Sequence, residues 1–138
     1  MRPLTAMLLI PALLAGCDRE GGSNGPSGRG SGAGSEMTQR QAENLLMDLP
    51  EVRAWQKSVR AGGDDFVPVL TAERNPEDFR AAGDPPAFVF RLAKTNDRQT
   101  ITWNRFQVDA VDGQVAVWNP FRGEYVPLEQ WRERFQPE

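Results

Sequence analysis

Trp103-Asn104-Arg105-Phe106-Gln107-Val108-Asp109-Ala110-Val111-Asp112-Gly113-Gln114-Val115 reads as strand, turn and strand. Asp112-Gly113 is the deciding pair, because an Asp-Gly step between two apolar-rich runs is among the strongest local signals for a hairpin. The first strand extends back to Gln99. Strict alternation puts Thr102, Asn104, Phe106 and Val108 on one face and Ile101, Trp103, Arg105 and Gln107 on the other. The second strand runs from Gln114 to Trp118. Upstream, Ala87 to Lys94 alternates cleanly, with Phe88, Phe90 and Leu92 opposite Val89, Arg91 and Ala93, and Thr95-Asn96-Asp97-Arg98 supplies the turn between it and the central strand.

Further out the pattern continues as a meander. Phe66 to Thr71 is a short strand, and Pro68, which has no N–H to give a ladder, places it at an edge. Asn75-Pro76-Glu77-Asp78 opens a short helix or turn. Asn119-Pro120 and Arg122-Gly123 make the last turn before Glu124 to Val126.

Helical periodicity flanks the strands. Thr38-Gln39-Arg40-Gln41 fits a capping box, and Ala42, Leu45, Leu46 and Leu49 follow at helical spacing. Pro50 breaks the ladder but suits the first turn of a second stretch, Glu51 to Arg60, with Val52, Trp55 and Val59 on its apolar side. Gly62-Gly63 stops it. Leu128, Trp131 and Phe135 give a short C-terminal helix. The expected fold is therefore α+β: an N-terminal kinked helix, or two short helices in line, on a four- to five-stranded antiparallel sheet, closed by a short C-terminal helix.

The chain has 138 residues, so one domain is the default. Its net charge of −3 argues against non-specific nucleic-acid binding, which is driven by clustered Lys and Arg. It has no histidine and a single cysteine. An internal disulfide is impossible, and the commonest general base and metal ligand is missing.

Residues 1–36 are of a different kind. Arg2 precedes an apolar run from Leu4 to Leu14, about half the roughly 20 residues that span a bilayer, as in a signal peptide. Leu14-Ala15-Gly16-Cys17 resembles the lipobox of bacterial lipoproteins. The resemblance implies cleavage before Cys17, a diacylglycerol on its sulfur and an acylated new N-terminus. Palmitate is a typical chain. Several acyl chains, at roughly 0.8 kcal/mol per buried methylene, anchor stably, and lipidation removes the only thiol from any catalytic role. Asp18 resembles the enterobacterial signal for retention at the inner membrane. Residues 21–35 hold more than half of the 13 glycines and no aromatic or β-branched residue. They read as a tether reaching about 20 Å. The expected organisation is signal peptide 1–16, lipidated Cys17 and tether 17–36, and a single α+β binding domain 37–138.

The Trp103 to Val115 stretch, with a helix upstream, is similar to the strand-turn-strand signature of PepSY-like and cystatin-like periplasmic domains. That resemblance implies a non-catalytic envelope domain that binds or inhibits other proteins. Because those families are defined by fold, no functional residues carry over.

The chemistry of the chain points the same way. No serine outside the tether sits in a strained turn; Ser58 lies in a helix. The best enzymatic option is a carboxylate pair drawn from Asp64, Asp65, Glu73, Glu77 and Asp78, which otherwise read as solvated loop charges. Asp109 and Asp112 suit a turn better than a calcium loop, since the EF-hand pattern is absent. Neither a metal nor another cofactor is expected. Trp55 and Trp131 read as core, whereas Trp103 with Arg105, and Trp118, combine aromatic and arginine side chains as protein-binding hot spots do. Asp64 and Asp65 form a second candidate surface, an acidic loop suited to a basic cleft. The expected function is a lipid-anchored, periplasm-facing protein without enzymatic activity that binds a periplasmic protein. Most concretely, it is an inhibitor or immunity protein of an enzyme such as a peptidoglycan hydrolase or secreted toxin. Alternatives are an assembly accessory of an envelope complex and a small-ligand or glycan binder.

Overall fold

Where Pro50 interrupts the N-terminal run, the chain makes two helices rather than one with a kink. A computed structural model of the chain describes residues 35–135; the expected signal peptide, the lipidated Cys17 and all of the expected tether but its last two residues lie outside the described residues. Helix α1 (Gln39–Met47) starts at Thr38. Its hydroxyl accepts from the Gln41 N–H at 3.3 Å while Gln41 Oε1 accepts from the Thr38 N–H at 2.8 Å, a complete capping box. Helix α2 (Pro50–Ala61) begins on the proline itself. Leu49 before it is extended, as a residue preceding proline prefers to be.

The remaining elements are β1 (Val67–Arg74), α3 (Pro76–Ala81), β2 (Ala87–Thr95), β3 (Thr100–Asp109), β4 (Val115–Asn119), β5 (Glu124–Pro127) and α4 (Leu128–Phe135). The five strands form one sheet in the order β1-β2-β3-β4-β5, and every neighbouring pair is antiparallel. This is an α+β fold. Pro68 lies on the edge strand β1.

The core lies between the sheet and the first two helices. Phe88, Phe90 and Leu92 of β2, Phe106 and Val108 of β3, and Val117 of β4 pack with Ala42 and Leu46 of α1 and Val52 of α2. All of these are buried. Burying one such large side chain contributes roughly 1.5–3 kcal/mol, which lets the domain stand without a disulfide. The far side of the sheet has a smaller cluster, Phe79 of α3 with Ala87, Val89 and Tyr125.

Two irregularities depart from strict alternation. In β3, Leu92 pairs with Asn104 and Ala93 with Thr102, so Trp103 is an extra residue. The expectation that Trp103 shares a face with Arg105 is thereby corrected: the bulge turns the indole onto the helix side, against the core, while Arg105 stays on the far side. In β1, Ala72 pairs with Phe90 and Arg74 with Val89. Glu73 and Arg74 consequently both reach the far side.

The β3–β4 connection is held by its own acids. Asp109 Oδ1 accepts from the N–H groups of Val111 and Asp112, at 2.7 and 3.0 Å, and Asp112 Oδ1 accepts from Gln114 N–H at 2.9 Å. Gly113 has φ 72°, the left-handed region that favours glycine, and a Cβ there would press on the tip of the Met37 side chain, 3.0 Å from Cε. The incoming chain is tied at this end of the sheet. Met37 N–H donates to the Ala110 carbonyl at 2.7 Å, and the Glu36 carboxylate pairs with Arg80 of α3. No helix among the described residues is long and apolar enough to cross a membrane.

Candidate binding groove

Strand lengths create the groove. β3 has 10 residues and β4 only 5, and their pairing runs from Phe106↔Val117 to Val108↔Val115. The first half of β3 therefore lacks a neighbour on that side. Helical spacing in α2 places Glu51, Trp55 and Ser58 along one face above this gap, and α4 brings Trp131 and Arg132 to its other wall. The result is an open groove of about 850 Å³, lined also by Trp103, Asn104, Trp118 and Phe121.

The aromatic rings form a connected series. Trp55 and Trp103 stack face to face, 4.7 Å between centroids and 6° between planes. Trp103 tilts against Phe106 at 5.9 Å, and Phe106 meets Trp131 edge-on at 6.5 Å. The groove floor is thus an extension of the core, which fixes the indoles without covering them. Phe121, at the tip of the β4–β5 turn, is 89% exposed. On a turn that Asn119 and Gly123 hold in place, its ring stands in water at the edge of the groove. Asn119 is itself buried, and its Oδ1 accepts from the Phe121 N–H at 3.0 Å.

Beyond the Trp55–Trp103 pair, a second hollow of about 370 Å³ shares Trp55, Ser58 and Trp103 and extends to Asp64, Phe66, Lys94 and Ile101. Lys94 Nζ lies 4.6 Å from the centroid of the Phe66 ring. On the groove wall, Arg132 Nε donates to Glu51 Oε1 at 2.5 Å and its NH2 nitrogen to Oε2 at 3.2 Å. This bidentate pair holds the Glu51 carboxyl below the usual carboxylate range and pushes the Arg132 guanidinium up.

The five residues expected at the site divide. Trp103 and Trp118 line the groove, together with Trp55 and Trp131, so the reading of the last two as core alone is too narrow. Arg105 lies on the far face, paired with Glu73. Trp118 also packs edge-on against Tyr125, 5.1 Å away, and thus borders both sides at the point where β3 and β4 part. Asp64 and Asp65 sit at the end of the sheet, beside the Asn96–Gln99 turn. There the Asp64 carbonyl accepts from Asn96 Nδ2 at 3.3 Å, and Asp65 takes a left-handed φ of 56°. Asp64 reaches the second hollow; Asp65 does not line it.

Phe121 and Glu73 were not singled out for binding from the sequence. For Phe121 the signal was present, an aromatic between Pro120 and Arg122-Gly123, where turn residues leave nothing to cover it.

The carboxylates named as an enzymatic option are scattered. Glu73 is in an ion pair, and Asp78 caps α3 by accepting from Asn75 N–H at 2.9 Å. Among the described residues no group of three or more Asp, Glu or Cys side chains is placed to hold a metal ion. Comparison with known protein families, with curated proteins and with solved structures gives no match to this chain.

Proposed function

We propose that the chain is a lipid-anchored cell-envelope protein whose α+β domain binds another protein without catalysing a reaction. Most concretely, it inhibits, or confers immunity against, a periplasmic enzyme such as a peptidoglycan hydrolase or a secreted toxin. The observation that carries this reading is the groove: all four tryptophans and the exposed Phe121 line one open groove, with Glu51, Ser58, Asn104 and Arg132 among them. Protein-binding hot spots have this composition, an aromatic centre that excludes water surrounded by groups that stay hydrated. The lipobox-like Leu14-Ala15-Gly16-Cys17 supports attachment at a membrane, where a tethered inhibitor gains effective concentration against targets in the same compartment.

The test is capture from envelope extracts with the intact chain and with Phe121→Ala, followed by an activity assay on whatever enzyme is retained. The reading expects one stoichiometric partner, inhibited by the intact chain and released by Phe121→Ala. Retention of no enzyme, or of one whose activity is unaffected, contradicts it. In the same cells Cys17→Ser is expected to leave the chain unprocessed or released from membranes; unchanged partitioning contradicts the anchor.

A further inference from the structure

The sheet face turned away from α1 and α2 collects three guanidiniums around one carboxylate. Arg91 and Arg105 are direct register partners on β2 and β3, so their side chains rise together. Like charges placed directly opposite each other destabilise a sheet unless something lies between them. Glu73 lies between them: its Oε2 accepts from Arg105 Nε at 2.8 Å, and its Oε1 is 3.5 Å from Arg91 Nε. The β1 irregularity that delivers Glu73 also delivers Arg74, whose guanidinium carbon sits 4.0 Å over the Phe79 ring. No described carboxylate forms an ion pair with Arg74. Within this strand cluster three guanidiniums thus face one carboxylate.

Donors outnumber acceptors here as well. Arg91 Nε is buried and has no hydrogen-bond acceptor. Tyr125 stands close enough to feel the charges of Glu73, Arg105 and Arg74; burial and Glu73 push its phenol up, so its hydroxyl remains a donor. Trp118 packs edge-on against Tyr125 on this side. The arginines remain reachable, with 33% of the Arg91 side chain and 40% of the Arg105 side chain exposed.

We propose that this face is a carboxylate-recognition site that takes an acidic side chain of the bound protein, with Glu73 as an internal occupant that the incoming group partly displaces. Guanidinium forks match a carboxylate in two parallel hydrogen bonds, whereas Glu73 takes one from Arg105 and leaves Arg91 Nε unsatisfied. A phosphate monoester, at about −1.5 to −2 charge, fits the same forks, so phosphate is the competitor against which the carboxylate is tested. The proposal rests on the reading that the domain binds a protein. It assigns that protein a second contact, acidic, on the opposite side of the sheet from the aromatic groove and joined to it at Trp118.

The experiment is titration of the full chain in detergent with a tetraglutamate peptide, with tetraglutamine and with inorganic phosphate, followed by tryptophan fluorescence and calorimetry. Tetraglutamate is expected to bind, more tightly than phosphate, and tetraglutamine is not. Glu73→Gln removes the internal competitor and is expected to tighten tetraglutamate binding about tenfold. Because Arg105→Gln alone leaves Glu73 short of a partner, the double variant Glu73→Gln/Arg105→Gln is the second probe. It is expected to bind at least about tenfold more weakly than Glu73→Gln, with thermal unfolding showing both folded. Equal binding of the glutamate and glutamine peptides, tighter binding of phosphate, no gain from Glu73→Gln, or equal binding by the double variant each overturns the proposal. A synthetic peptide is the ligand throughout, so that failure leaves the capture result, and the reading it tests, intact.

Discussion

The two faces of one five-stranded sheet do different work. Toward α1, α2 and α4 the sheet presents Phe88, Phe90, Leu92, Phe106 and Val108, a continuous apolar surface that grades into the tryptophan groove. Away from them it presents Arg91, Arg105, Glu73 and Arg74, covered only where α3 brings Phe79 over Ala87 and Val89. Each face owes its character to an irregularity in a strand. One brings Trp103 in against Trp55, and the other brings Glu73 and Arg74 out together. In a sheet this small, a single inserted residue decides what a face can recognise, because it re-aims a side chain without disturbing the rows on either side.

The comparison breaks first where stability is concentrated. Phe106→Ala removes a fully buried ring from the centre of the helix-side face and is expected to destabilise by about 3–5 kcal/mol. A chemical-denaturation curve measures this, and a loss under about 1 kcal/mol would mean that the helix side is not the main core. Next, a double-mutant cycle between Trp55→Ala and Trp103→Ala isolates the stacked pair. A coupling of about 0.5–1.5 kcal/mol is expected, and additive effects would mean that the bulge does not seat Trp103 on α2.

The far face is expected to respond more weakly. Glu73→Gln removes a carboxylate from a partly solvated cluster in which water screens the charges, so its effect on unfolding is expected to stay at about 1 kcal/mol or less. A loss comparable to that of Phe106→Ala would erase the distinction between the faces. The smallest effect is a pH dependence on the helix side. Arg132 holds the folded-state Glu51 carboxyl below its unfolded value, so the folded state binds fewer protons there. The stability this adds is complete above the ordinary carboxylate pKa of about 4.3 and is lost as pH falls through the lowered folded value. Glu51→Gln is therefore expected to flatten the decline of stability on the acid side of pH 4; an unchanged decline contradicts the pairing.

Much of this was legible in the residues. The alternation of Ala87 to Lys94 reads directly as β2, Asp112-Gly113 as the hairpin, and Thr38 with Gln41 as a helix start, because each depends only on neighbours in the chain. The bulge at Trp103 was not, since it depends on how β3 lies against β2. Its trace was the mixed polar and apolar character that strict alternation left on both faces of that strand. The Arg91–Arg105 pairing likewise requires the bulge: the Asn96–Gln99 turn sets Thr95 against Thr100, a register that would put Arg91 opposite Asn104, and the extra residue Trp103 moves it to Arg105. The groove required comparing two strands: Asn119-Pro120 ends β4 while its partner still has half its length to run. That arithmetic was available, and it places Trp118 and Phe121 at the gap.

The most direct test of the binding groove is site-specific photocrosslinking in intact cells, with a benzophenone amino acid at Phe121 and, as reference, at Arg40 on the exposed side of α1. The account expects a discrete crosslinked protein from position 121 that is absent from position 40. Crosslinks of equal yield from both positions, or none from position 121, would contradict it.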